Sequence, residues 1–301
     1  MAFFVGLDSG GTKTECWLGD ESRVLARAVC GTVKLTRVSQ EVATERMHGL
    51  LREVETVSGV SLKSVARTCV GVAGFSIGEV REWAQRVVAE QVAGEVMVCG
   101  DDEIALDAAF HGGPGVLLIG GTGSAVVGRC ADGTRFTAGG WGLAIGDEGS
   151  GYWIGREAVR QAFRALDRGE QTTLLEAVRV AWGVADIGGV VGFANQRPGP
   201  DFSALAPTVA ECAVNGDEVA ARVLRQAGAE LAEQILVVWG RMKARGERSA
   251  QVAFTGSVLD KIPAVCTAMR ERIGDAMQVM DAPVHSMDGA MWRARGGGSS
   301  L

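Results

Sequence analysis

The sequence predicts an α/β fold arranged as two related halves, and three observations carry that reading. Short apolar runs alternate with segments of helical periodicity, the pattern of a sheet layered with helices. A strand, a glycine turn and a second strand occur in that order twice, at residues 2–18 and 116–130. The 301 residues are also more than one hydrophobic core serves well, since single cores stop growing near roughly 250–300 residues.

The elements follow in chain order. Residues 2–7 form a short apolar run, DSGGTKT a glycine-rich bend and 15–18 a second run, which together predict a hairpin. A third strand is expected at 24–29. Residues 39–57 have helical periodicity with Ser39 as N-cap. Strands at 68–73 and 96–99 alternate with helices at 79–90 and 103–110. Beyond FHGGPG the pattern restarts, with strands at 116–119, 125–130 and 135–138. Helices then dominate, at 152–166, 174–182, 205–214 and 219–244. A late strand at 252–254 precedes Gly256, and a short helix at 288–293 precedes the polar tail GGGSSL, which reads as disordered.

Composition narrows the function. Lys and Arg number 30 against 36 Asp and Glu, a net charge of −6 that disfavours binding along a nucleic-acid backbone. No apolar stretch approaches the roughly 18–20 residues of a membrane span, and the N-terminus lacks the basic start of a signal peptide. The seven cysteines are scattered without a C-x-x-C pair, so neither a zinc site nor a disulfide framework is expected. They read as small apolar residues in a reduced, cytoplasmic setting. Glycine stands out at 43 residues, 15 of them within 112–155. Clustered glycine marks backbone that turns tightly or approaches a ligand closely.

Four motifs lie at strand ends. The bend Asp8-Ser9-Gly10-Gly11-Thr12-Lys13-Thr14 offers backbone amides for an anion, and Asp8 could hold a hydrated magnesium ion. Gly120-Gly121-Thr122-Gly123-Ser124 repeats that design, and two such bends would grip a polyphosphate. Gly139-Gly140-Trp141-Gly142 and Gly146-Asp147-Glu148-Gly149-Ser150 offer close backbone approach, a flat apolar wall at Trp141 and a carboxylate acceptor at Asp147. Gly100-Asp101-Asp102-Glu103 puts carboxylates where α/β proteins place ligands. Neither a P-loop nor a dinucleotide-binding GxGxxG after a strand is present. Gly74-Phe75-Ser76-Ile77-Gly78 matches the GxSxG of serine hydrolases, with His285 as its required histidine. In that class, however, the oxyanion loop precedes the nucleophile, whereas HisGlyGly at 111–113 follows it.

DSGGTKT, GGTGS and GGWGxxxGDEGSGYWIG, in this order, resemble the sugar kinase–Hsp70–actin superfamily, and within it the N-acetylglucosamine kinase and BadF/BadG/BcrA/BcrD ATPase family. The resemblance implies two ribonuclease H-like (actin-like ATPase) domains with a nucleotide and sugar cleft between them. It divides the chain into residues 1–110 with a C-terminal helix at 284–301, and residues 111–283. It implies ATP and Mg²⁺ as cofactors, a small-molecule amino sugar as substrate, no nucleic-acid or membrane partner, and a homodimer. The expected reaction is phosphorylation of the sugar 6-hydroxyl, with N-acetylglucosamine foremost and N-acetylmuramic acid or glucosamine as alternatives.

By the same resemblance Asp101 is the catalytic base, with Asp102 departing from the family's alanine. Gly10, Gly11, Thr12, Lys13, Thr122, Gly123 and Ser124 hold phosphates. Gly256 and Ser257 of Thr255-Gly256-Ser257 hold adenosine, and Asp8 the metal. Lys34, Asp101, Gly140, Trp141 and Asp147 contact the sugar. Lys34 stands where the kinases commonly carry asparagine, and Ala73 where they carry a serine. Lys34, with Arg37 nearby, would favour an anionic substituent and disfavour cationic glucosamine. A further branch, the activators of acyl-CoA dehydratases, needs two nearby cluster cysteines. Cys130 has no second cysteine before Cys212, which disfavours that branch.

Overall fold

The computed structural model describes residues 1–297, so the tail at 298–301 lies outside the described residues. Backbone contacts divide the chain into two compact units, Met1–Gly113 with the segment from Val284 onward, and Pro114–Pro283.

The first unit opens with β1 (Phe3–Ser9), β2 (Lys13–Gly19) and β3 (Val24–Gly31), followed by α1 (Gln40–Ser58), β4 (Val65–Val72), α2 (Gly78–Ala89), β5 (Glu95–Gly100) and α3 (Asp101–Phe110). The second opens with β6 (Gly115–Gly120), β7 (Ser124–Arg129) and β8 (Arg135–Gly139). Helices α4 (Gly151–Arg168), α5 (Leu174–Trp182), α6 (Ile187–Ala194), α7 (Ala206–Val214) and α8 (Glu218–Ala244) follow. It closes with β9 (Gln251–Thr255), α9 (Ser257–Lys261), α10 (Pro263–Ile273) and β10 (Gln278–Val279), and the chain ends in the first unit with α11 (Ser286–Ala294).

The first sheet has the order β3-β2-β1-β4-β5, with β2 antiparallel to β1 and β3, and with β1, β4 and β5 parallel. The second has the order β10-β9-β6-β7-β8 and repeats the first strand for strand, with β6, β9 and β10 parallel. Two halves too diverged to align by eye therefore share one topology. The two glycine bends, β1 to β2 and β6 to β7, hold equivalent places. The turn after β4 is likewise the counterpart of the turn after β9. Gly74 and Gly256, which open those turns, both have positive φ, 86° and 106°. The GxSxG match is thus the first unit's version of the Thr255-Gly256-Ser257 turn. Ser76 is exposed within it, while His285 stacks on Trp17 at 5.2 Å.

Alternation along the strands sets the layers. In β1, Val5 and Leu7 are buried with Met47, Leu51 and Trp83 of α1 and α2. Phe4 belongs to the opposite cluster, with Ile104 of α3 and Met287, Ala290 and Met291 of α11. In the second unit Val116, Leu118, Val126 and Phe254 pack with Ile154 of α4, Leu231 and Ile235 of α8 and Met269 of α10. Ser39 caps α1, accepting from Val42 N, as expected from the sequence.

Three helices fall where the sequence pattern marked none. α6, IGGVVGFA, carries three glycines that mask its periodicity. α9 spans only five residues. α10 begins at Pro263, a legitimate first helical position. α3 begins at Asp101 rather than at 103, so both aspartates sit in its first turn.

Candidate active site

The carboxyl ends of β1 and β5 carry the chemistry of the first unit. Residues 4, 6 and 8 of β1 face α11, and glycine at 6 lets that helix approach closely, since a Cβ there would lie 3.1–3.2 Å from Met291 and Ala290. Asp8 follows on that face, beside the Ser286 side chain at the start of α11. Burial pushes the Asp8 carboxyl up to about 7, reinforced by the negative charges of Asp101 and Glu15 and partly offset by Ser286 and Lys13. Glu15 is its register partner on β2. Burial works against the Glu15 carboxylate, yet hydrogen bonds from Lys13 Nζ (3.0 Å) and Trp17 Nε1 (2.8 Å) hold it below its ordinary value.

Asp101 is the first residue of α3. Burial, and then the charge of Asp102, push its carboxyl up to about 6, while backbone hydrogen bonds and the Lys34 charge pull it down. Its Oδ1 accepts from Asp102 N at 3.1 Å. The Asp102 side chain folds back over Gly100, where an added Cβ would lie 2.1 Å from Asp102 Oδ1. A carboxylate raised this far but still ionised at neutral pH suits proton acceptance from a hydroxyl.

The first glycine bend is fixed from outside. Thr32, just beyond β3, donates from N to Thr12 O (3.1 Å) and from Oγ1 to Gly10 O (2.9 Å), and its Oγ1 accepts from Lys34 N (3.0 Å). Arg46 Nη1 of α1 donates to Thr32 O at 2.6 Å. These bonds tie the Lys34 turn to the bend. Gly11 has neither positive φ nor any atom within 4 Å of a Cβ position, so neither conformation nor protein packing accounts for glycine there. Gly121 in the second bend is alike.

The second unit builds its site around that second bend. Gly121 O and Thr122 O accept from Gly151 N (2.8 Å) and Tyr152 N (3.2 Å) at the start of α4. Ser124 Oγ donates to Glu148 O at 2.8 Å, and Ser124 O accepts from Gly140 N at 2.8 Å. Asp147 is buried and left-handed at φ 62°, with its carboxylate against Gly123; a Cβ on Gly123 would fall 2.6 Å from Oδ2. The second glycine bend and the predicted sugar segment thus form one hydrogen-bonded piece. Trp141 is not a core aromatic: it is 73% exposed, with Gly146 beside its Cβ and ring edge. Gly256 packs on the same bend, where a Cβ would lie 2.4 Å from Gly120 O. Beside it, α9, α10 and Pro283 line an open cavity of about 390 Å³ that includes Leu259, Asp260 and Arg270.

The predicted residues therefore gather within their own units: Asp8, Gly10, Gly11, Thr12, Lys13, Lys34 and Asp101 in the first, and Thr122, Gly123, Ser124, Gly140, Trp141, Asp147, Gly256 and Ser257 in the second. Lys13 is paired with Glu15 rather than solitary. Sequence reasoning passed over Glu15, Thr32 and Ser286. The alternation of Lys13, Glu15 and Trp17 on one face of β2 was a signal for the first of these. The other two meet the bend only through long-range folding.

Among the described residues no group of three or more His, Cys, Asp or Glu side chains converges to hold a metal ion by itself. Asp8 nevertheless fits a magnesium ion, a hard cation that takes one or two protein carboxylates and completes its shell with phosphate and water oxygens. The mutual repulsion of Asp8, Asp101 and Glu15 is what such a cation would relieve.

A family model described as the BadF/BadG/BcrA/BcrD ATPase family matches residues 5–291. An N-acetylmuramic acid/N-acetylglucosamine kinase of Clostridium acetobutylicum is 28% identical over 77% of each chain. An N-acetyl-D-glucosamine kinase of Dictyostelium discoideum is 27% identical over 86% of each. A crystal structure of a candidate N-acetylglucosamine kinase from Chromobacterium violaceum superposes with a TM-score of 0.72 at 25% identity, covering 97% of this chain and 98% of that one.

Proposed function

The chain belongs to the BadF/BadG/BcrA/BcrD ATPase family, with the actin-like α/β fold in both units, and from that premise we propose that it transfers the γ-phosphoryl group of ATP to the 6-hydroxyl of an N-acetylated amino sugar. The observation that carries this reading is Asp101: a largely enclosed carboxyl at a strand's carboxyl end, raised to about 6 and ionised at neutral pH.

Asp101 accepts the proton of the sugar hydroxyl as that oxygen attacks phosphorus. A positioned base of this kind contributes about 10²–10⁴-fold. The transition state is loose, so the remaining acceleration comes from positioning and charge neutralisation. Backbone amides of the bends at Gly10–Thr12 and Gly121–Ser124 receive phosphate oxygens, and the bare faces of Gly11 and Gly121 leave room for them. Asp8 would hold a magnesium ion, which would neutralise phosphate charge when bound. Trp141 offers its exposed face to the sugar ring, Asp147 accepts from sugar hydroxyls, and the Gly256–Ser257 turn receives adenosine. Lys34 reads the substituent on the amino sugar. No single helix among the described residues is long and apolar enough to cross a membrane. The kinase reading carries with it a small-molecule substrate, a cytoplasmic setting and a homodimer.

A coupled ADP-release assay over N-acetylglucosamine, N-acetylmuramic acid, glucosamine, glucose and no sugar tests the proposal. Turnover that depends on an N-acetylated sugar is expected. Strong sugar-independent turnover would contradict it and favour a plain ATPase.

A further inference from the structure

We infer that Arg293, on the last helix and far in sequence from every motif, is a positioning residue that sets the catalytic carboxylate; the inference rests on the kinase reading and on Asp101 as its base. Arg293 donates from Nη2 to Glu103 Oε2 at 3.2 Å and from Nε to Asp107 Oδ2. Glu103 and Asp107 lie one turn apart on α3, the helix that Asp101 begins. The guanidinium fork therefore spans two points on one helix, which fixes the helix's rotation as well as its position. Glu103 passes the constraint on, because its other oxygen, Oε1, accepts from Gly100 N, the residue before Asp101.

The helix that carries Arg293 cannot slide. α11 crosses α3 at backbone distance, where a Cβ on Gly289 would fall 1.8 Å from Ile104 O and 2.6 Å from Ala108 N. Its other side presses Ala290 and Met291 onto Gly6 of β1. Its first residue, Ser286, lies beside Asp8 and favours the ionised carboxylate. One helix thus touches β1 beneath Asp8 and α3 beneath Asp101, and holds the spacing of the two carboxylates. Arg293 is the polar latch on the α3 side. Its fork would be lost in a lysine, which keeps the charge but not the two-point geometry.

Arg295 provides an internal control. It sits two residues on in the same part of the chain and donates to Asp20 O, beyond the opposite end of β2 from the site. It shares the packing role of Arg293 but has no path to Asp101.

The test compares wild type, Arg293→Lys, Arg293→Ala and Arg295→Gln, each with ATP, magnesium and the sugar that the panel identifies. For Arg293→Lys, kcat falls by roughly 10–100-fold, the scale of a base displaced by about 1 Å. KM for ATP and sugar changes less than about threefold, because ground-state binding is untouched. Added methylguanidine restores part of the kcat of Arg293→Ala, and Arg295→Gln keeps the wild-type kcat even if its melting temperature drops. The inference is overturned if Arg293→Lys retains the wild-type kcat, or if Arg293 and Arg295 variants lose activity only in proportion to stability. An inactive wild type across the sugar panel would instead overturn the kinase reading.

Discussion

At the residue scale, the site is governed by where carboxylates are enclosed. Asp101 must be ionised to accept a proton, and its carboxyl sits near 6. A base raised above its ordinary value is active above its pKa and lost below it. At saturating magnesium, which would keep Asp8 ionised, the profile of kcat/KM is therefore expected to be flat between about pH 7 and about pH 6 and to fall about tenfold per pH unit below about 6. Because the charge of Asp102 is the second cause of that elevation, Asp102→Asn should move the acid limb to lower pH while retaining turnover. If Asp102 were the base, the same substitution would abolish activity. Lys34 is proposed to bear on which sugar is chosen. Lys34→Asn should lower kcat/KM for N-acetylmuramic acid relative to N-acetylglucosamine, measured side by side, and an unchanged ratio would remove Lys34 from selectivity. Asp8, the acidic cluster at 101–103 and the glycines stood out in the sequence because each stands at a strand end, while the resemblance alone singled out Asp101 from that cluster. Glu15 and Ser286 were not, because their relation to Asp8 comes from register and from a helix 278 residues after it.

At the element scale, the site is a set of turns held by other turns. The second bend is fixed by the start of α4, by Asp147 and by Gly256. Gly256 combines a φ of 106° with a Cβ position 2.4 Å from Gly120 O, so alanine there is both strained and obstructed. Such backbone strain costs on the order of 1–3 kcal/mol. Gly256→Ala is expected to raise KM for ATP more than it lowers kcat, with a lower melting temperature; an unchanged KM for ATP would detach this turn from nucleotide binding. Most strands and the long helices were legible from periodicity. α6 was hidden by its glycines, and α3 starts two residues earlier than the sequence pattern marked, so that its acidic residues form its first turn. That two-residue difference matters, since it makes Asp101 a helix residue whose orientation α3 controls.

At the scale of the whole molecule, one topology is used twice, and each copy contributes the same two features, a glycine bend after its first strand and a glycine turn after its fourth. The repeat was visible in the sequence only as a strand–glycine–strand layout, because topology survives where side-chain identity does not. It also explains why GxSxG arises in a chain with no need of a serine nucleophile. The proposed roles then separate, with the proposed acid–base carboxylates in the first unit and the Trp141 segment and the Gly256 turn in the second. The central claim is sugar-dependent phosphoryl transfer with Asp101 as base. It is tested most directly by incubating wild type and Asp101→Asn with magnesium, ATP and N-acetylglucosamine and following the products by phosphorus NMR, with nucleotide binding measured in parallel. The wild type should form the sugar 6-phosphate, and the variant should bind ATP normally yet form that ester at least about 100-fold more slowly. ADP and inorganic phosphate without a sugar ester, or near-normal ester formation by Asp101→Asn, would contradict the account.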